Sequence, residues 1–185
     1  MERYNINYTY DEKLLNLYNK PLKKCKSNTS MSNGSWDEKG KCSEKDGGVH
    51  QICIKNISKN AKDFSAITSQ SDWSEKRGYN NHCVCLGAWS LYVNIMKEKG
   101  ENITEKILEC NSIPKNSLSN YYVNKWNEWN GYEKDNQIVD GVNKMVELCQ
   151  TSNNIDNKNL TDNYCKFSKD KRNFEETKFF KDNCT

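Results

Sequence analysis

Nine cysteines in a chain of 185 residues constrain the fold more than any other feature of the sequence. They are spread along the whole chain, at Cys25, Cys42, Cys53, Cys83, Cys85, Cys110, Cys149, Cys165 and Cys184. A structural zinc site needs two pairs of closely spaced thiolates, whereas the only close pair is Cys83 and Cys85. The spacing therefore predicts disulfides between separate elements, and with them an oxidising, extracellular setting.

The odd count means that one cysteine has no partner within the chain. Eight paired cysteines can be connected in about 105 ways, and the sequence does not choose among them. One pairing can be excluded. If Cys83 and Cys85 lie on a helix, their side chains diverge by about 200°, so they should bond to two different elements and not to each other.

The apolar content is low for a folded protein of this length. Leu, Ile, Val and Phe make up only 33 of the 185 residues, a fraction typical of disordered chains. A net charge of +3 causes little self-repulsion, however, and 20 aromatic residues supply bulk that disordered chains lack. We therefore expect one folded domain over residues 1–185, in which disulfides compensate for a thin core.

Apolar residues recur with a helical spacing along most of the chain. The stripes predict helices near residues 14–25, 52–64, 82–97, 103–110, 122–129, 138–149 and from 162 onwards. Two polar stretches, 26–48 and 68–82, predict long loops. No run has the two-residue period that is typical of strands. The sequence thus predicts an all-α, disulfide-stapled bundle of six to seven helices with long polar loops.

Residue types suited to catalysis are sparse. The only histidines are His50 and His82, and His82 could be paired with its neighbour Cys83 as base and nucleophile. Neighbouring side chains at a helix start diverge, and no orienting group accompanies them, so we expect no enzyme. The sequence also lacks a glycine-rich phosphate loop and a metal-binding helix motif, so we expect no cofactor and no metal.

Binding to another protein is the role that the sequence favours. Four clustered lysines at Lys20, Lys23, Lys24 and Lys26, in a chain with three arginines, are too little positive charge for nucleic-acid binding. Exposed aromatic residues are typical of interface hot spots. We predict four partner-binding aromatic residues. Trp36 and Trp73 lie in the long loops, where recognition residues are common. Tyr121 and Tyr132 are not on the helix face that Trp126 and Trp129 share.

No stretch of the sequence predicts insertion into a membrane. Residues 1–15 lack the apolar core of a signal peptide. The longest weakly polar stretch, 82–96, is too short and too polar to span a bilayer. We therefore expect membrane attachment only through a segment absent from this chain.

One set of landmarks is shared with a known family. It consists of a first helix ending near Cys25, the segment Ile52-Cys53-Ile54-Lys55, and the pattern Cys83-x-x-Leu86-x-x-Trp89 with Tyr92 close by. The set resembles the extracellular domain of the Plasmodium interspersed repeat (PIR) family, whose vivax members are called VIR. The related N-terminal cysteine-rich domain of the SURFIN surface proteins is similar. Two features depart from the family: Gly87 and Ala88 interrupt its aromatic run, and Cys85 is extra.

The resemblance implies a variant surface antigen of a malaria parasite, exported to the surface of the infected erythrocyte. Its implied partner is a host cell-surface or immune protein, and its implied roles are antigenic variation, adhesion and immune evasion. Two alternatives remain open. One is a secreted effector enzyme, such as a small hydrolase that uses His50 or His82, and the other is a different cysteine-rich adhesin, such as a Duffy-binding-like domain.

Overall fold

A computed structural model describes residues 14–26, 34–43, 50–61, 63–77, 80–127, 135–152 and 157–184. Two strands, β1 (His50–Ile54) and β2 (His82–Cys85), form an antiparallel sheet. The helices are α1 (Ile57–Asn60), α2 (Phe64–Ile67), α3 (Leu86–Glu98), α4 (Asn120–Asn127), α5 (Asp135–Ser152), α6 (Asn157–Ser168), α7 (Arg172–Glu175) and α8 (Lys178–Asn183). Short 3-10 segments lie at Glu75–Arg77, Glu105–Ile107, Cys110–Ser112 and Lys115–Leu118.

The prediction of an all-α bundle is wrong, because β1 and β2 make the fold mixed α/β. In the sheet, Cys53 lies opposite Cys83 and Ile54 lies opposite His82. The apolar stripe that begins at Ile52 fits a helical period, but Ile52, Cys53 and Ile54 are consecutive and all buried. A continuous apolar run with β-branched residues also suits a strand that is covered on both faces, and tertiary packing selects that alternative.

The predicted first helix, near residues 14–25, is also absent. The side chain of Asn16 accepts hydrogen bonds from the backbone N–H groups of Tyr18 and Lys20, each at 3.0 Å, and so closes a turn. Asn19 within this turn has a φ of 60°, and Pro21 pairs with Leu15 as an isolated bridge. Short polar side chains compete with helical hydrogen bonding and proline removes a donor, so a turn forms where the apolar spacing predicts a helix.

The helices predicted near 82–97, 122–129 and 138–149 are found with shifted ends, whereas the one near 52–64 is replaced by β1, α1 and the start of α2. Helix α3 begins at Leu86, since residues 82–85 belong to β2, and Gly100 follows it with a φ of 69°, as expected for a helix end. The predicted helix near 103–110 is two 3-10 segments, and the one from 162 onwards is divided into α6, α7 and α8. Helix α4 spans Asn120–Asn127, and Trp129 lies outside the described residues.

The core is centred on the contact between α3 and α5. Trp89 of α3 is fully buried, and its indole N–H donates to the backbone carbonyl of Gly141 in α5 at 2.9 Å. Because α3 follows β2 without a break, its first turn lies at the end of the sheet. This junction positions the candidate site.

Four disulfides confirm that the cysteines are staples. They join Cys25 to Cys53, Cys42 to Cys83, Cys110 to Cys149 and Cys165 to Cys184. Cys83 and Cys85 do not bond each other, as predicted, although they lie on β2 and not on a helix. The prediction that both would bond to other elements is wrong for Cys85, which is a buried free thiol. Four disulfides indicate an oxidising, extracellular or secreted environment.

Within the described residues, no helix has both the length and the apolarity needed to cross a bilayer.

Candidate functional site

The two long polar stretches of the sequence meet at one cavity beside β2. The cavity has a volume of about 160 Å³. Ser35 comes from the first stretch, Gln70, Trp73 and Arg77 come from the second, and His82 and Cys85 belong to β2. Segments that are far apart in the sequence therefore line a single site.

The first stretch is tied to β2 by covalent and polar contacts. The Cys42–Cys83 disulfide joins its far end to the strand. The backbone N–H of Cys83 donates to the carbonyl of Gly34 at 2.8 Å, and the Ser35 hydroxyl lies 3.3 Å from His82 Nε2. Ser35 is thus held against His82 at the edge of the cavity.

The second stretch is pinned by hydrogen bonds of its own. The backbone N–H groups of Ser65 and Ser74 each donate to the other residue's hydroxyl, both at 3.0 Å. Further along, the Trp73 indole N–H donates to the Gln70 side-chain oxygen at 3.1 Å. This hydrogen bond helps to hold the Trp73 ring in one orientation.

An aromatic stack forms one wall of the cavity. The ring centroids of Trp73 and His82 are 4.4 Å apart, and the two rings are tilted by 34°. The ring centroids of Phe64 and Trp73 are 6.2 Å apart in an edge-to-face arrangement. The Arg77 guanidinium lies 5.6 Å from the Trp73 ring centroid, within the range of a cation–π interaction. The wall thus combines a large apolar surface with one positive charge.

His82 is neutral under physiological conditions. It is only 4% exposed, and burial, followed by the charges of Arg77 and His50, lowers its pKa to about 3. Its Nε2 faces Ser35, whereas its Nδ1 is buried without a hydrogen-bond partner among the described residues. The site therefore contains a neutral imidazole with one unused polar atom.

The free thiol of Cys85 is poorly suited to nucleophilic chemistry. Burial raises its pKa, although the thiol accepts a hydrogen bond from the backbone N–H of Ala88 at 3.3 Å. His50 lies opposite Cys85 in the sheet register and lines the same cavity, and burial lowers its pKa. A thiol that burial keeps protonated, beside imidazoles whose lowered pKa makes them weak bases, is a weak nucleophile.

The buried state of His82 makes stability depend on pH. The pKa of His82 is lower in the folded protein than the usual 6.5, so the unfolded chain binds more protons and stability falls as the pH decreases from 6.5 towards 3. We expect His82 to account for a loss of about 2 kcal/mol between pH 6.5 and pH 5. Urea unfolding at a series of pH values should show this loss in the wild type and a shallower one in His82→Gln, which keeps the contribution of His50. Parallel declines in both proteins would contradict the assignment to His82.

The four aromatic residues predicted to bind a partner lie at different places. Trp73 lines the cavity, whereas Trp36 packs partly buried against the core with Lys26 Nζ 5.9 Å from its ring. Tyr121 is 41% exposed on α4, beneath the ammonium group of Lys125. Tyr132 lies outside the described residues. The structure thus places one of the four in the cavity.

Sequence reasoning missed three polar residues of the site: Ser35, Gln70 and Arg77. Only Arg77 carried a signal, as one of three arginines in a chain with abundant lysine. Arginine stacks on aromatic rings in a way that lysine does not match, so a rare arginine close to a tryptophan could have been singled out.

A cluster of sulfur atoms near β2 has the dimensions of a metal site. The sulfurs of Cys25, Cys42 and Cys83 lie within 4.8 Å of one another. All three belong to disulfides, however, and a disulfide sulfur lacks the thiolate charge that binds zinc. The cluster is therefore two adjacent disulfides, which fix the start of the first loop to β1 and its far end to β2.

A larger groove of about 480 Å³ lies between α3, α5 and the start of α8. Charged residues on its rim pair with one another: Lys97 Nζ lies 2.9 Å from Asp140, and Lys144 Nζ lies 3.2 Å from Glu147. These pairs satisfy the charges that a ligand would otherwise contact. The groove is therefore a weaker candidate than the cavity between the two loops.

No protein-family model matches the chain, and no curated protein and no solved structure matches it. The resemblance to the PIR family stays a prediction from the sequence.

Proposed function

We propose that the chain is an extracellular recognition domain that binds a host protein. In its finer form, the proposal is the ectodomain of a malaria-parasite variant surface antigen, displayed on the infected erythrocyte and acting in adhesion or immune evasion. The observation that carries the proposed binding role is the meeting of the two long loops at one cavity with a Trp73–Arg77 wall.

The residue types at the cavity are those that dominate protein interfaces. Tryptophan and arginine are enriched among hot-spot residues, because each buries a large surface and also offers polar contacts. Trp73 is half-buried, so part of its ring is accessible while the rest packs on Phe64 and His82. A partner side chain that enters the cavity would cover the remainder of the ring.

The scaffold around the cavity suits a surface that varies between related proteins. The Cys42–Cys83 disulfide fixes the first loop to β2, and the Ser65–Ser74 hydrogen bonds fix the second loop to α2. Loops held in this way tolerate replacement of their exposed residues, since neither the disulfide nor the hydrogen bonds of the buried Ser65 and Ser74 involve those side chains. A variant antigen needs this combination of a constant frame and changeable loops.

The direct test is a screen for binding partners. Protein produced in a secretory host, so that its disulfides form, would be applied to arrayed human cell-surface and secreted proteins. We expect saturable binding to at least one of them. Uniformly negative results with folded, fully oxidised protein would contradict the proposal.

The role of the cavity can then be measured with Trp73→Ala. We expect this variant to bind the identified partner at least about 30-fold more weakly, the effect of losing a hot spot of roughly 2 kcal/mol. Tyr121→Ala is the matched control, because it removes an exposed aromatic ring from α4, away from the cavity. Surface plasmon resonance measures the affinity of each variant for the partner, and circular dichroism verifies that each variant is folded. Full affinity in Trp73→Ala, or loss in Tyr121→Ala alone, would contradict a binding site at the cavity.

A further inference from the structure

Seven Asn-x-Ser/Thr sequons for N-glycosylation are a sequence feature that the proposed binding role leaves unused. In four of them the asparagine lies within the described residues, at Asn56, Asn102, Asn159 and Asn183. A glycan is bulky and hydrophilic, so a folded protein carries one only where the asparagine side chain reaches solvent. The surroundings of these four asparagines therefore show which of them can carry a glycan.

The Asn102 sequon lies in an irregular segment between α3 and the 3-10 segment at Glu105–Ile107. Asn102 and Thr104 are both exposed, and neither side chain makes a hydrogen bond within the described part of the chain. The backbone of Thr104 is extended, with a φ of −86° and a ψ of 155°. Both side chains that define the sequon are therefore accessible to an enzyme.

Open space adjoins Asn102. The residue lines the groove of about 480 Å³ between α3, α5 and the start of α8. A Cβ atom added at the nearby Gly100 would meet no other described part of the protein within 4 Å. The backbone N–H of Glu101 donates to the carbonyl of Met96 at 2.9 Å, so the segment is fixed to the end of α3. A sugar on Asn102 thus has room without any movement of the core.

The other three described asparagines are less suited to carry a glycan. Asn56 is half-buried, and its Oδ1 is buried without a hydrogen-bond partner among the described residues. Asn183 uses both ends of its amide: Nδ2 donates to a backbone carbonyl of α8 at 2.8 Å, and Oδ1 accepts from Gln150 at 3.1 Å. Asn159 is exposed but lies in the first turn of α6, and the Thr161 hydroxyl of its sequon accepts from Gln150 at 2.9 Å. Of the four, Asn102 combines exposure with an amide and a hydroxyl that are both unused.

We infer that Asn102 is an N-glycosylation site, to which an oligosaccharide is attached through N-acetylglucosamine. In the transfer, Asn102 Nδ2 forms a bond to C1 of this first sugar, and the bond between C1 and the diphosphate of a lipid-linked oligosaccharide breaks. The amide loses one proton, and the lipid diphosphate leaves. The inference rests on the secreted setting that the four disulfides indicate, and not on the proposed binding role.

The attachment point lies away from the cavity between the two loops. Ala88, in the first turn of α3, lines that cavity, whereas Asn102 follows the last turn, so roughly 15 Å of helix separates them. The glycan would begin at the rim of the larger groove. A glycan on Asn102 is thus compatible with a partner that binds at the cavity.

The test is the occupancy of Asn102 in the full chain secreted from cultured animal cells, where a cleaved leader directs it into the secretory pathway. Enzymatic release of the glycans in ¹⁸O-labelled water converts each glycosylated asparagine to a labelled aspartate. Tryptic peptide 100–106 contains Asn102 and no other asparagine, so mass spectrometry locates the label without ambiguity. We expect the label at Asn102 in most of the secreted chains. Unmodified Asn102 in the secreted, folded protein would overturn the inference.

Two substitutions of Thr104 separate enzymatic glycosylation from spontaneous deamidation. Thr104→Ala removes the hydroxyl of the sequon and should abolish the label, whereas Thr104→Ser keeps the hydroxyl and should retain it. Thr104 is exposed and makes no cap hydrogen bond, so the circular dichroism of both variants should match the wild type. A label that persists in Thr104→Ala, or is lost in both variants, would contradict the assignment. An unoccupied Asn102 beside a positive partner screen would reject the inference alone, and the reverse result would reject the proposed function alone.

Discussion

Removing the Cys110–Cys149 disulfide should lower the free energy of unfolding by about 4 kcal/mol. The two cysteines are 39 residues apart in sequence and both are buried, so the bond restricts a long loop of the unfolded chain. It also ties the 3-10 segment at Cys110–Ser112 to α5, the longest helix of the described chain. Chemical denaturation of Cys110→Ala/Cys149→Ala under non-reducing conditions measures the loss.

The matched control is the disulfide between Cys165 and Cys184. It spans only 19 residues and both of its cysteines are partly exposed, so Cys165→Ala/Cys184→Ala should cost about 3 kcal/mol or less. A larger loss from this control than from Cys110→Ala/Cys149→Ala, or unchanged stability in the latter, would show that the longer bridge does not stabilise the fold as described.

Gly141→Val should destabilise the protein by about 3 kcal/mol, although valine has the better helix propensity. A Cβ atom added at Gly141 would lie 2.0 Å from the Ser90 hydroxyl oxygen and 2.8 Å from the Ser90 Cα. One of these contacts is with backbone, so α3 and α5 must move apart. That movement also strains the hydrogen bond from the Trp89 indole to the Gly141 carbonyl.

Glu147→Val provides the comparison for this prediction. Glu147 lies on the same helix but is exposed, and its pairing with Lys144 is a surface ion pair. Its replacement by valine should cost less than about 1 kcal/mol. Thermal or urea unfolding measures the loss of stability in each variant. Equal losses would contradict the claim that Gly141→Val destabilises the protein because α3 and α5 approach closely at Gly141.

The long amphipathic helices were the part of the fold that the sequence predicted best. In α5, Ile138, Val142, Met145 and Cys149 repeat with a strict helical spacing, and all four are buried. The sheet was missed because Ile52 and Cys53 fit a helical stripe and a buried strand equally well. The choice between the two depends on a partner strand about 30 residues away, which local periodicity does not reveal.

Gly141 and Cys85 show a second limit of sequence reasoning. In the sequence, a glycine within a helical pattern indicates only a lower helix propensity. The structure shows why position 141 needs a glycine, because Ser90 of α3 packs directly against it. Likewise, nine cysteines indicate that at least one is unpaired within the chain. That the unpaired cysteine is Cys85 follows only from the geometry of the four disulfides. Both the pairing of cysteines and the close approach of two helices depend on which residues are near one another in three dimensions, and local sequence patterns do not show this.

The candidate site was predictable in outline only. The sequence located recognition in the two polar stretches and named Trp73, and these stretches do meet at the cavity. Ser35 and Gln70 were not identified, because a polar residue in a polar loop has no sequence pattern that shows which residues it contacts. His82 was considered as a catalytic base, whereas its burial keeps it neutral with a pKa of about 3.

The central claim is that two disulfides build the site by fixing the start of the first loop to β1 and its far end to β2. A non-reducing peptide map tests this claim most directly. Tryptic cleavage after lysine and arginine would place Cys25 in peptide 25–26, Cys53 in 46–55 and Cys42 in 42–45, with Cys83 and Cys85 together in 78–97. Alkylation of free thiols in denaturant, before digestion, would mark the unpaired cysteine.

The expected map links peptide 25–26 to 46–55 and peptide 42–45 to 78–97, with the alkyl group on Cys85 located by fragmentation of the last peptide. Such a map would support a site whose first loop is fixed to both strands by covalent bonds. A linkage of 25–26 to 42–45, an alkylated Cys83, or nine free thiols would contradict the account.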